Sequence, residues 1–145
     1  MIRIAQTSDA QELRDICDIS LGYSVSTELV QEQITRLTKD PNQYLVVFEE
    51  ETTQTVVGFL HASRYESIYS EAGFNIMGLA VHPDYQHQGI GKKLLLSLED
   101  EAKKKHYPYI RFNSAEHRRA AHVFYERCGY VSDKTQKRFL KQFED

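Results

Sequence analysis

Gln86-His87-Gln88-Gly89-Ile90-Gly91-Lys92-Lys93 is the stretch of this 145-residue chain best suited to hold an anion. An apolar run, Ile76-Met77-Gly78-Leu79-Ala80-Val81, precedes it, and an amphipathic one with Leu94, Leu95, Leu98 and Ala102 follows. The pattern predicts strand, glycine-rich loop, helix. Glycines at a helix start let backbone N–H groups approach a ligand closely. The first N–H groups of a helix have no partner within it, and the helix dipole adds positive potential there. Such a loop suits a pyrophosphate, with Lys92 and Lys93 adding charge.

The spacing excludes two common nucleotide loops. A Walker A loop needs a glycine five positions before Gly91 and Ser or Thr after Lys92; the chain has Gln86 and Lys93. A dinucleotide fingerprint needs a third glycine where Leu94 stands. What remains, Gln-x-x-Gly-x-Gly after Leu-Ala-Val-His-Pro, resembles the acetyl-CoA loop of the GNAT superfamily of N-acetyltransferases. Ala121-His122-Val123-Phe124-Tyr125-Glu126-Arg127-Cys128-Gly129-Tyr130 is similar to that family's Ala-x-x-Phe-Tyr-x-x-x-Gly-Phe/Tyr helix. The resemblance covers essentially the whole chain.

The resemblance implies transfer of the acetyl group of acetyl-CoA to a primary amine. It implies that the main chain of Leu79, Ala80 and Val81 pairs with the pantetheine arm. Gln86, His87, Gln88, Gly89, Ile90, Gly91 and Lys92 would hold the pyrophosphate, Gln86 replacing a commoner arginine. Asn113 and Ser114 would touch CoA at a strand end. Arg118 joins them through Ser-x-x-x-Arg-x-x-Ala-His-x-Phe-Tyr, a pattern similar to that of aminoalkylphosphonate and some aminoglycoside acetyltransferases; Ser114, Arg118, Ala121, His122, Phe124 and Tyr125 match it.

Acetyl transfer needs a neutral amine, donors for the developing oxyanion and a proton for the leaving thiolate. Ala121, Phe124 and Cys128 define one helical face, and Tyr125 lies about 100° round from Phe124. A tyrosine keeps its proton at neutral pH. The resemblance makes Tyr125 the general acid toward the CoA thiolate. No base is assigned. Met77 occupies the strand position where many relatives carry a glutamate, and it is no base. Glu66, Glu71 and His61 read as surface or structural residues, and a water relay stays open. Without a strong base, activity should rise with pH, since an alkylamine has a pKa near 10.4. Tyr23, Glu28, Tyr65 and Glu71, with Tyr69 and Glu66, are the candidates for the acceptor end, where acidic groups suit a cationic amine.

The elements that must position these residues follow from periodicity. Ile2-Arg3-Ile4 reads as a strand. Ser8-Asp9-Ala10-Gln11 resembles a capping box ahead of Leu13, Ile16 and Cys17. A second helix starts near Ser26 or Thr27 and stops at Lys39-Asp40-Pro41. Tyr44–Phe48 and Val56–Ala62 form a hairpin. Arg64 to Gly73 reads as a polar connection, and Phe74 to Val81 as the central strand. A strand at Pro108–Phe112, a helix from about Arg118 to Arg127 ended by Gly129, and a final strand within Thr135–Phe143 complete the pattern. The expected fold is α/β (α+β): one domain over 1–145, with a mixed, mostly antiparallel sheet of six to seven strands and about four helices on both faces.

Composition bounds the rest. Hydrophobic residues make up 41% and charged residues 27%, the formal net charge is −3, and no apolar run reaches membrane-spanning length. These values predict a cytoplasmic protein with neither a nucleic-acid nor a membrane partner. Cys17 and Cys128 read as core residues, and six scattered histidines predict no metal. Homodimerisation is a family habit. A protein N-terminal or lysine acetyltransferase and a non-catalytic acyl-CoA-binding module are the competing readings.

Overall fold

The computed structural model describes residues 1–144, in two compact units, one from Met1 to Phe112 and one from Asn113 onward. The first unit holds the whole sheet. Its strands are β1 (Ile2–Ile4), β2 (Gln43–Glu49), β3 (Val56–Ser67), β4 (Ser70–Val81) and β5 (Ile110–Arg111), and they lie side by side in chain order. All pairs are antiparallel except β4–β5, which is parallel and joins only Phe74 to Ile110 and Asn75 to Arg111.

Alternation along the strands separates two faces. On one, Leu45, Val47, Phe59 and Ala80 pack with Leu13 and Ile16 of α1 (Ala10–Leu21) and Ile34 of α2 (Thr27–Thr38). The opposite face belongs to α3 (Ile90–Lys104), whose Leu94, Leu95 and Leu98 are fully buried. Burial of each such leucine is worth roughly 1.5–3 kcal/mol. Ser26 caps α2 by accepting from the Leu29 N–H at 3.1 Å.

Four elements depart from the sequence reading. Arg64–Gly73 is no loop: β3 and β4 run to twelve residues each and close only at Ile68-Tyr69. The capping bond forms two residues earlier than Ser8 predicts, since the Asp9 carboxylate accepts from the Gln6 N–H at 2.8 Å. Asp9 is then fixed by a two-pronged pair with Arg3 at 2.8 and 2.9 Å, and Arg3 also holds Glu49. Thr135–Phe143 forms no strand among the described residues. Among the described residues the sheet accordingly has five strands, where six or seven were expected. Among the described residues the second unit carries one helix, α4 (Arg119–Arg127), and no strand for the tail to pair with.

Within that unit Gly129 takes φ +92° and α4 ends as the sequence predicts. The Gly129 N–H donates to Glu126 O and the Tyr130 N–H returns to Tyr125 O, each at 3.0 Å.

Candidate functional site

The loop between β4 and α3 brings together backbone donors that could hold an anion. A 3-10 turn, Pro83–Tyr85, opens it, anchored by the Asp84 N–H donating to His82 Nδ1 at 3.1 Å. His87 and Gly89 then both take left-handed backbone, with φ of 64° and 80°. Gly89 suits this at no steric cost, whereas for His87 it is a strained choice. Lys93 N–H makes the first bond of α3, to Gly89 O at 3.0 Å. Among the described residues, the N–H groups of residues 87–92 donate to no protein acceptor outside α3. A Cβ built on Gly89 would meet nothing within 4 Å, so the concavity in front of these donors is open. This donor set fits a pyrophosphate. Gly58 of β3 keeps the seat in place: its bare Cα lets Ile90, at the start of α3, pack directly on the sheet.

β4 leads from this seat along an open edge. The His82 N–H donates to Val57 O at 2.8 Å, so the peptide groups of residues 80 and 82 face β3. By alternation the N–H and C=O of Leu79 and Val81 point the other way. β5 pairs no further than Asn75, so beyond it that edge has no strand partner among the described residues. The Val81 carbonyl is filled by Ser20 Oγ at 3.0 Å and Gln86 Nε2 at 3.1 Å, so its N–H is what it offers a ligand. Gln86 thus uses its side-chain amide to tie the loop to the strand. Ala80, predicted beside these two, faces β3 with its main chain. The register shifts between His61 and Ala62 and leaves Met77 as the bulged residue on β4, 60% exposed.

In the second unit, Ser114 Oγ and the Ala115 carbonyl both bond His122 Nε2, at 3.2 and 3.0 Å, so the segment after β5 is tied to α4. Arg118 stands at the N-cap of α4. Burial pushes the Tyr125 hydroxyl above the usual tyrosine pKa, with Arg118 pulling part of the way back. Tyr125 therefore keeps its proton across neutral pH. Its ring lies 5.4 Å from that of Phe124. Asn113 is exposed at the start of this unit.

The acceptor candidates divide. Tyr65 and Glu71 come together on the outer β3–β4 hairpin, where Tyr109 Oη donates to both their carbonyls at 3.2 and 2.7 Å. Tyr23 and Glu28 lie at the exposed junction of α1 and α2, on elements other than that hairpin. Sequence reasoning missed Ser20, Asn75 and Arg111. Arg111 Nη1 donates to Asn75 Oδ1 at 2.6 Å, and its guanidinium lies 4.8 Å from the Tyr65 ring centre. Such contacts across strands carry no local signal. Cys17 is half-buried with its thiol pKa raised by burial, which suits a packing residue. Among the described residues no group of His, Cys, Asp and Glu could hold a metal, and no helix is long and apolar enough to cross a membrane.

Several acetyltransferases are among the solved structures that share this fold. Aminoglycoside 6'-N-acetyltransferase AAC(6')-Ih from Acinetobacter baumannii superposes with a TM-score of 0.84 at 17% identity over 99% of each chain. Glucosamine-6-phosphate N-acetyltransferase from Arabidopsis thaliana gives 0.77 at 20%, over 99% of this chain and 98% of that one. AAC(6')-Iy, bound to the bisubstrate analogue CoA-S-monomethyl-acetylneamine, gives 0.84 at 13%, with the same coverage. No curated protein sequence is significantly similar to this chain. The model of the acetyltransferase (GNAT) family matches residues 10–130, spanning both the anion seat and α4, and the chain belongs to that family of acetyl-CoA-dependent N-acetyltransferases.

Proposed function

We propose that this protein moves the acetyl group of acetyl-CoA directly onto the primary amine of a small molecule. The observation that carries this reading is the row of N–H donors at residues 88–92, open in front of Gly89, beside a strand edge with no strand partner. Backbone donors of this kind hold the pyrophosphate, with Lys92 adding charge. The arm then runs along β4, past the N–H of Val81 and the peptide groups of Leu79, toward the bulge at Met77. Asn113, Ser114 and Arg118 are the further CoA contacts.

Acetyl-CoA supplies an activated acyl carbon. The neutral amine adds to that carbon, a C–N bond forms, the C–S bond breaks, and the amine's surplus proton passes to solvent. Tyr125 donates its phenolic proton to the departing sulfur and is reprotonated from water. A hydroxyl held above its ordinary pKa is suited to this, because it never competes with the thiolate for negative charge near pH 7. Met77 supplies no base, so the amine must lose its proton before or as it binds. The rate should therefore climb from neutral to mildly alkaline pH.

The deciding experiment follows thiol release and product mass with acetyl-CoA and a panel of amines. Turnover of one amine class establishes the reading. Failure with every small amine, while CoA still binds, would overturn it in favour of a protein substrate or a non-catalytic binding module.

A further inference from the structure

His61 is a half-buried imidazole with one ring nitrogen held by the protein and the other left unused. It stands on β3, on the sheet face that carries α1 and α2, with Phe59 two residues before it and Leu45 opposite it on β2. Its Nε2 lies 2.7 Å from Gln43 Oε1. A carboxamide oxygen only accepts, so Nε2 carries the ring proton and Nδ1 carries the lone pair. Among the described residues no atom bonds Nδ1. Every buried side-chain nitrogen or oxygen among them has a hydrogen-bond partner, so Nδ1 is open to a ligand or to water. Burial lowers the His61 pKa, which keeps the ring in its basic form at neutral pH.

The neighbouring strand brings this nitrogen close to the edge that the pantetheine arm would follow. His61 pairs with Gly78, the residue before Leu79, and the register then slips so that Met77 is bulged. Paired residues in an antiparallel sheet lie about 5 Å apart, Cα to Cα. Gly78 has no side chain, and a Cβ there would stand 3.3 Å from the Phe59 ring. At this level no side chain of β4 stands between the imidazole and the outer edge of the strand. The other face of the sheet is closed: Ala62 and its partner Ile76 point toward α3 and are 0% and 9% exposed. An amine coming to the Leu79–Val81 edge from that side would meet the core, so its approach lies on the face of His61.

From this arrangement we infer that His61 is the general base of the transfer, acting on the attacking amine directly or through one water, and that Gln43 is a positioning residue that fixes its tautomer. The inference rests on the acetyltransferase reading, which lays the thioester beside Leu79 and Val81. It replaces the structural reading of His61 and fills the role that Met77 leaves empty. The amine nitrogen adds to the acyl carbon, the C–N bond forms and the carbonyl electron pair moves to oxygen. That nitrogen then carries a surplus proton, which the Nδ1 lone pair takes. The carbonyl re-forms, the C–S bond breaks and the sulfur takes the Tyr125 proton. The imidazolium, still donating to Gln43 through Nε2–H, releases its proton to solvent and is a base again. The amine still enters neutral, so the climb of rate with pH stands; His61 gives the shed proton its first stop.

The test is steady-state kinetics with acetyl-CoA and the most active of butylamine, 1,4-diaminobutane, 4-aminobutanoate and 3-aminopropylphosphonate. Wild type is compared with His61→Ala, His61→Gln and Gln43→Leu. Both His61 variants should lose about 10²-fold or more in kcat, with the KM for acetyl-CoA within about twofold of wild type. Imidazole added to the medium should restore part of the His61→Ala rate and leave wild type unchanged. Gln43→Leu should cost about tenfold in kcat, because the ring loses its fixed tautomer. A kcat within about threefold of wild type in folded His61→Ala would overturn the inference, as would a loss that imidazole does not restore. Nitrogen NMR of wild type near neutral pH should find the His61 proton on Nε2. A proton on Nδ1 would overturn the inference even if every variant failed to fold. No turnover of any amine by wild type would overturn the acetyltransferase reading itself, whereas turnover indifferent to His61 overturns this inference alone.

Discussion

Tyr125 and His87 are two residues whose local chemistry makes sharp demands. Replacing Tyr125 by Phe removes one proton and leaves the ring. Acetyl transfer should then fall by about 10²–10⁴-fold in kcat, with CoA affinity nearly unchanged, as steady-state kinetics and calorimetry would show. Wild-type activity that depends on the protonated hydroxyl should persist above the ordinary tyrosine pKa of about 10, because burial raises the value in the folded protein. An alkaline limb that fell below pH 10 and vanished in neither variant nor wild type would contradict the assignment. At His87 the backbone, with φ of 64°, sets the constraint. His87→Val should destabilise the fold by about 1–2 kcal/mol relative to His87→Gly in urea melts, since a branched side chain tolerates the left-handed region worst. Both residues stood out in the sequence as motif members. The strain at His87 did not, because histidine is an unremarkable loop residue until its φ is known.

The turn and helix between β4 and α3 were legible because they are local: Gly89, Gly91 and the following leucines specify both within one short window. Gly89→Val should abolish CoA binding, since the new side chain would occupy the open space before the donors and would also suffer at φ +80°. The outer β3–β4 hairpin was not legible. Tyr65, Ser67, Tyr69 and Ser70 are polar enough to read as loop, yet paired tyrosines and serines make good strand residues once a partner exists. The tail was misread for the converse reason. A strand is a relation between two segments, and among its described residues the second unit offers no strand for Thr135–Phe143 to pair with. The Arg3–Asp9–Glu49 clasp joins residues 46 positions apart and so was invisible too. Burial alone would raise the Asp9 pKa, but the bonds from Arg3 and the Gln6 N–H win and hold it below the ordinary carboxylate value. The clasp therefore contributes its full stability above about pH 4 and loses it as the solution is acidified through the lower folded value. Asp9→Ala should cost about 2–3 kcal/mol at pH 7, and the gap from wild type should narrow toward pH 2 in chemical denaturation.

For the molecule as a whole, a preformed seat predicts thermodynamic linkage. CoA at a hundred times its dissociation constant should add about 2.7 kcal/mol to the unfolding free energy, visible as a rise of roughly 5–10 °C in Tm. A Gly89→Val protein should show no such rise. The open edge of β4 has a consequence of its own. A bare strand edge in the middle of a sheet is a template for any extended polypeptide, and proteins usually blunt such edges with charge or proline. Residues 76–81 carry neither. If the pantetheine arm occupies that edge as proposed, the cosubstrate doubles as a guard against self-association. Light scattering at a temperature well below unfolding should then show slower aggregation with CoA present, and the metabolite pool would set the shelf life of the protein as well as its rate.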